Sequence, residues 1–282
     1  MKKAKQYLIT ARALSVNEDD TFTEALLNLI CYSPKYPVRL HQQNLLNEAE
    51  QFSVSVFDEH FSKSDLNVQC YKWGNGSKKV LLTHGWASKA ADFTELIILL
   101  KDNDAQVIAF DAPGNGTSEG ELSNLLLYTK SIAAIVDNLG TPDVLIGHSL
   151  GAMANFNFLK ESNLTVPLLI SITPLIKLKE HFELIMTSGN ASLTAQKTFF
   201  RWFKEMFNVD VAYFDSCSLY SSKHADKHYV FYETDDKLSP PEYVEEFLAL
   251  NPNSISSKFT GVGHDKMHRE PQVLAGIKKL VF

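Results

Sequence analysis

The chain has 282 residues, 45% of them apolar and 21% charged, with a formal net charge of −6. Those proportions describe a globular protein able to bury a sizeable core, and the intermixing of lysines with acidic residues leaves no basic stripe of the kind a phosphate backbone requires. Nucleic acid is therefore excluded as an expected partner. Cys31, Cys70 and Cys217 are odd in number and widely separated, which fits neither a disulfide framework nor a CxxC metal site and favours a reducing compartment. After Met1-Lys2-Lys3 the chain runs through Lys5 and Gln6 without a continuous apolar region, so no signal peptide is expected. The longest apolar run, Leu96–Leu100, is far shorter than the roughly 20 residues a bilayer span needs. The expectation is a soluble, cytoplasmic protein, and nothing in the sequence marks an oligomeric state.

Taken in order, the first 65 residues offer an amphipathic helix over Thr21–Cys31, started by Asp20, and an alternating edge strand over Gln51–Phe57. From about residue 66 onward, short runs rich in Val, Ile and Leu alternate with helical patterns, the signature of a parallel sheet covered on both faces. Strands are predicted at Asn67–Trp73, Lys79–Thr83, Gln106–Phe110, Asp143–Gly147, Pro167–Ile172, Lys227–Tyr232 and Ser254–Phe259. Helices are predicted at Ala91–Lys101, Leu122–Leu139, Ser149–Lys160, Pro240–Leu250 and Pro271–Leu280. Pro240 and Pro271 stand where a helix begins, the position that tolerates a missing N–H. Residues 175–226 break the alternation, with apolar and aromatic side chains at helical spacing. This segment reads as a helical insertion capping the sheet, or alternatively as helices packed on its flank. There is no internal repeat and no low-complexity segment.

The most informative stretch is Gly147-His148-Ser149-Leu150-Gly151. A short apolar strand precedes it and a helical pattern leaves it, so Ser149 falls on a tight strand-to-helix elbow, with glycines where the two backbones nearly touch. A serine hydroxyl is a weak nucleophile at neutral pH; it needs a base to take its proton and a carboxylate to orient that base. The acid candidates follow the Lys227–Tyr232 strand, where Asp236 is preferred over Asp235 because Leu238 and the helix-starting Pro240 come after it. The base candidate is His264, directly after the flexible pair Gly261 and Gly263. His268 reads as a solvent-facing or capping residue and His148 as a packing or tuning one. Charge on a tetrahedral intermediate needs N–H donors. Leu150 supplies one, and Trp86, in His84-Gly85-Trp86 after the Lys79–Thr83 strand, supplies the second; the alternative for the latter is an ordinary strand-ending turn with a packing tryptophan.

Together, His84-Gly85-Trp86, Asp111-Ala-Pro-Gly114-Asn-Gly116-Thr-Ser118, Gly147-His-Ser-Leu-Gly151, Asp236 and Gly263-His264 resemble the α/β-hydrolase superfamily, and within it a bacterial serine esterase-like branch. Asn115 departs from the histidine found there in many relatives. The resemblance implies a single α/β-hydrolase domain over residues 1–282, with a mostly parallel central sheet and the 175–226 insertion. It also implies a Ser149-Asp236-His264 triad cleaving a carboxylic ester or thioester of a small, apolar substrate through an acyl-enzyme. The alternatives are a non-catalytic small-ligand-binding protein on the same fold, or an acyltransferase using the same triad. Trp86, Phe199, Phe200 and Trp202 suggest an apolar pocket, though each also suits a core. No cofactor is expected. The pairs His224/His228 and His264/His268 have helical spacing for two metal ligands but lack the H-E-x-x-H glutamate, so no metal is expected either, and no phosphate loop is present.

Overall fold

The computed structural model describes residues 2–282. Its centre is an eight-stranded sheet: β1 (Glu50–Asp58), β2 (Ser64–Trp73), β3 (Lys78–Thr83), β4 (Ala105–Phe110), β5 (Val144–His148), β6 (Val166–Ile172), β7 (Ala225–Glu233) and β8 (Ser254–Phe259). The spatial order is β1-β2-β4-β3-β5-β6-β7-β8. β2 runs antiparallel to both of its neighbours, and every pairing from β4 to β8 is parallel. All five residues of β5 are buried, which is why this central strand reads as a continuous apolar run rather than an alternating one. The edge strand β8 is mostly exposed.

The helices are α1 (Lys2–Leu14), α2 (Asp20–Cys31), α3 (Leu40–Glu48), α4 (Thr94–Lys101), α5 (Leu125–Leu139), α6 (Leu150–Ser162), α7 (Leu178–Ser188), α8 (Leu193–Phe207), the single turn α9 (Ser216–Leu219), α10 (Pro241–Leu250) and α11 (Pro271–Val281). Two apolar cores follow, one on each face of the sheet. The first joins α2, α5, α6, α7, α8 and α10 through side chains such as Phe22, Ile132, Phe156, Phe199 and Phe247. The second joins α3, α4 and α11 through Leu45, Leu96, Ile97 and Ile277. Each such fully buried side chain stabilises the fold by about 1.5–3 kcal/mol relative to exposure.

Several boundaries differ from the sequence reading for local reasons. Asp19, not Asp20, caps α2, its carboxylate accepting from Phe22 N–H at 3.1 Å. The helix expected from Leu122 begins at Leu125, because Leu122 bridges to Tyr32 and the Asn124 side chain caps Leu127 N–H at 2.8 Å. The helix expected from Ala91 opens as a 3₁₀ turn over Ala90–Phe93 before α4. Pro240 lies one residue outside α10, and Pro241 takes the first helical position. α1 and α3 carry no strong apolar stripe. Only Ala11 of α1 is buried, and that helix is tied down by polar contacts, among them Tyr7 Oη donating to Glu121 at 2.9 Å and Arg12 to Ser188 O at 2.9 Å.

Between β6 and β7 the chain forms α7, α8, a 3₁₀ turn at Val211–Tyr213, α9 and a second 3₁₀ turn at Ser222–His224. α7 and α8 meet α2 from the N-terminal region. The sequence-distant start of the chain therefore helps to enclose the space beside the elbow.

Candidate active site

Ser149 sits between β5 and α6 with φ 53° and ψ −121°, a backbone conformation that a side chain other than glycine adopts only under constraint. The constraint is visible on both sides. Ser149 N–H donates to Ile172 O at 3.0 Å, tying the elbow to the end of β6, and Ser149 O accepts from Ala152 N–H at 3.0 Å. The flanking glycines are sterically required: a Cβ on Gly147 would lie 2.5 Å from Ala152 Cα, and one on Gly151 would lie 2.2 Å from Thr83 O. Strand, helix and the neighbouring β3 thus touch backbone to backbone, and the serine projects away from them.

Asp236 and His264 are brought together. His264 Nδ1 donates to Asp236 Oδ2 at 2.5 Å. The other carboxylate oxygen, Oδ1, accepts from Leu238 N–H at 2.8 Å and Ser239 N–H at 3.0 Å. The Asp236 carboxylate is therefore fixed by its own loop, and its bond to Nδ1 leaves His264 Nε2 without a protein partner among the described residues. Asp235 is exposed and does not bond His264. Ser149 and His264 both line one cavity. No hydrogen bond joins them among the described residues, a looseness common in unliganded sites.

Two contacts hold the His264 loop, one that the sequence did not announce and one from His148, which it reads as a packing or tuning residue. Glu233, the last residue of β7 and only 1% exposed, accepts from three successive N–H groups: Gly261 at 3.0 Å, Val262 at 2.7 Å and Gly263 at 2.9 Å. Burial pushes the Glu233 carboxyl pKa up, but the N–H donors of Gly263, Val262, Asp235 and Gly261 outweigh it and hold the group below its ordinary value. The carboxylate therefore stays ionised at neutral pH. Gly261 and Gly263 have φ of 79° and 88°, the left-handed backbone that lets successive N–H groups converge on one carboxylate. The second contact is His148, whose Nε2 donates to His264 O at 3.0 Å. Burial, with the like-charge effect of His268 and His264, drives the His148 pKa well below its ordinary value, so its ring is a neutral prop.

His268 is buried rather than solvent-facing. Its Nε2 donates to Asp92 O at 3.0 Å and its ring meets those of His148 and Phe93 edge-on. On the other side of the serine, Gly85 comes so close that a Cβ there would lie 3.1 Å from Ser149 Cβ. His84 pins this turn. Ala112 N–H donates to His84 Nε2 at 2.9 Å, so Nδ1 carries the proton and donates to Gly85 O at 2.7 Å, where Tyr128 Oη also donates at 3.1 Å. Among the described residues the N–H groups of Trp86 and Leu150 have no protein acceptor. Asn115 lies away from this constellation, bonding Ser33 and, through Nδ2 at 3.0 Å, Pro113 O.

The cavity above Ser149 measures about 310 Å³. Its wall is mostly apolar, drawn from Trp86 and Leu150 of the core fold, Ile30 of α2, Leu178 and Phe182 of α7, and Phe203 and Phe207 of α8. Of the four aromatics singled out from sequence, Trp86 reaches this wall; Phe199 is fully buried in the core, and neither Phe200 nor Trp202 lines the cavity. No cluster of three metal-ligating side chains exists among the described residues. His228 instead bridges strands, bonding Ser171 Oγ and Ser254 Oγ at 2.9 Å each.

The sheet order and the strand-elbow-helix geometry define an α/β-hydrolase fold. Residues 80–277 match the alpha/beta hydrolase family, and the chain belongs to that family. Monoglyceride lipase of Mus musculus is 30% identical in an alignment 118 residues long that covers 38% of this chain and 39% of the lipase. The match thus spans about two fifths of that relative's length. An esterase from Pyrococcus furiosus superposes with a TM-score of 0.61 at 18% identity, covering 88% of this chain and 95% of its own. The thioesterase domain from the curacin biosynthetic pathway superposes with a TM-score of 0.56 at 17% identity, covering 82% and 99%. At these identities the two structures share the fold.

Proposed function

We propose that the protein is a serine hydrolase cleaving a carboxylic ester or thioester of a small, apolar substrate through an acyl-enzyme. The observation that carries this reading is the 2.5 Å bond from His264 to Asp236 beside a serine held at φ 53° on the elbow. Ser149 Oγ attacks the substrate carbonyl and its proton passes to His264 Nε2, while the Asp236 carboxylate stabilises the resulting imidazolium. The N–H groups of Leu150 and Trp86 hold the oxyanion of the tetrahedral intermediate. The intermediate collapses as His264 protonates the leaving alcohol or thiol, and water activated by the same imidazole then releases the acid. α7 and α8 act as a cap that gives the acyl-binding space its apolar wall. A cavity of about 310 Å³ lies at the small end of ligand sites. The lipase, esterase and thioesterase among its similar proteins support ester chemistry.

The test is a panel of p-nitrophenyl esters of increasing chain length. Turnover is expected for short acyl chains, falling by about 10³-fold or more in Ser149→Ala, since the nucleophile supplies the covalent step. Turnover that persists in Ser149→Ala would remove the serine from the reaction.

A further inference from the structure

The cavity-facing side of α7 is written in its spacing. Leu178, His181, Phe182 and Ile185 all line the cavity, and they stand at i, i+3, i+4 and i+7, the stripe a helix turns toward an apolar space. Three of the four are apolar. The exception is a histidine, and among the described residues its side chain makes no hydrogen bond at either nitrogen. Nδ1 is buried without a partner. A buried polar atom left unpaired costs about 1–3 kcal/mol, so a histidine in this stripe is a worse choice for stability than an apolar residue and calls for a functional reason at its other nitrogen. Two other wall residues, Ser123 and Asn124, also carry an unpaired polar atom, but Ser123 Oγ and Asn124 Nδ2 are sealed inside the wall. His181 Nε2 is not sealed, which leaves it as the polar atom α7 offers to whatever occupies the cavity.

The surroundings fix what this atom can recognise. Burial lowers the His181 pKa, and the neighbouring His264 lowers it further, so the ring is neutral and Nε2 offers a single donor or a single acceptor, set by the tautomer, rather than a charge. A carboxylate or phosphate gains little from such a partner in a cavity with so few polar groups; a hydroxyl, which both donates and accepts, is matched. His264, the group that hands a proton to the departing oxygen in the proposed reaction, lines the same cavity as Ser149 and His181, so α7 presents a polar atom to the space that the alcohol portion shares with that ring.

We propose that His181 is a specificity-determining residue whose Nε2 hydrogen-bonds a hydroxyl on the alcohol portion of the ester, so that the substrate class is esters of hydroxylated alcohols rather than of plain alkanols. This rests on the ester-hydrolase reading above and adds to it a polar recognition point on the leaving group.

Two esters of nearly equal size test it: 2-hydroxyethyl butyrate and propyl butyrate, in which a hydroxyl replaces a methyl. For the wild-type chain, kcat/KM should favour the hydroxyethyl ester by about tenfold or more, because an unpaired buried polar group discriminates strongly against an isostere lacking its partner. In His181→Phe that ratio should fall to near one, and in His181→Gln, which keeps a donor and an acceptor, most of the preference should return. The ratio is measured on one preparation, so partial misfolding of a variant cancels. A ratio in His181→Phe within roughly twofold of wild type would overturn the assignment. So would a preference that follows a hydroxyl on the acyl chain, read with ethyl 3-hydroxybutyrate against ethyl pentanoate. Failure of both esters to turn over, together with absent fluorophosphonate uptake at Ser149, would instead strike the hydrolase reading itself.

Discussion

At the scale of single residues, the candidate site is a set of carboxylates with different tasks. Asp236 meets the imidazole, whereas Glu233 meets only backbone, yet its bonds to Gly261, Val262 and Gly263 fix where His264 starts. Replacing Glu233 by Gln keeps the volume but points an amide N–H₂ at N–H donors. We expect kcat to fall by about 10–100-fold with KM little changed, the effect of a base displaced by a fraction of an ångström to an ångström. Steady-state kinetics on a short p-nitrophenyl ester measure this; equal kcat in wild type and Glu233→Gln would show that the loop holds its position without the carboxylate. Asp236→Asn should cost more, about 10³–10⁴-fold in kcat, by presenting a donor where the imidazole N–H needs an acceptor, and retention of wild-type kcat there would separate Asp236 from the reaction. Asp236 and His264 were legible in the sequence because each follows a recognisable strand and precedes a helix or turn signal. Glu233 was not, since its partners are backbone N–H groups about thirty residues away that any sequence carries. The one visible hint was the pair Gly261 and Gly263, which says that the backbone bends there but not around what. The burial of His268 was likewise hidden, because it rests on contacts with Asp92 O and the Phe93 ring, far away in the sequence.

At the scale of elements, the elbow is a three-body contact among β3, β5 and α6, and its glycines are the points of contact. Gly151→Ala would push a methyl to within 2.2 Å of Thr83 O and 2.5 Å of His84 O, approaches that only a shift of the backbone can relieve. The expected loss is about 3 kcal/mol of stability or more, read as a lowered urea midpoint. A midpoint equal to wild type would mean that α6 slides freely on β3. The parallel strands were readable because burial on both faces makes them unbroken apolar runs, as in Leu168–Ile172. α1 and α3 were not, because polar helices held by side-chain bonds and by a few anchors such as Leu45 and Leu46 leave little periodicity to detect. For the insertion, spacing marked helices but not which faces look toward the serine. That depended on α2, which closes the cavity with Ile30 and Cys31 from a part of the chain far away in sequence.

At the scale of the whole molecule, the interior carries several histidines that fold as neutral groups. His84, His148, His228 and His268 are buried, and burial is the leading cause that lowers each pKa from 6.5, in His228 to about 3. Below pH 6.5 the unfolded chain binds protons that the folded chain refuses, so stability rises with pH and falls on acidification. Each such group contributes a slope of up to about 1.4 kcal/mol per pH unit below its unfolded value. Carboxylates with lowered pKa, the buried Asp58 and Glu233 and the half-buried Asp92, add to the loss only below about pH 4.5, near their ordinary values of 3.8 and 4.5. Urea unfolding at pH 7.5, 6 and 5 should therefore show a stability that drops steeply across a window belonging to the histidines; a flat profile down to pH 5 would mean that these rings ionise within the fold. The whole fold, in turn, exists around one elbow, and the most direct test of what that elbow does is covalent. Incubated with a fluorophosphonate and analysed by peptide mass spectrometry, the wild-type protein should carry the adduct on Ser149, with labelling abolished in Ser149→Ala and slowed in Asp236→Asn. A wild-type protein, folded by its circular dichroism, that takes up no label or takes it up on another residue would contradict the assignment of Ser149 as a nucleophile.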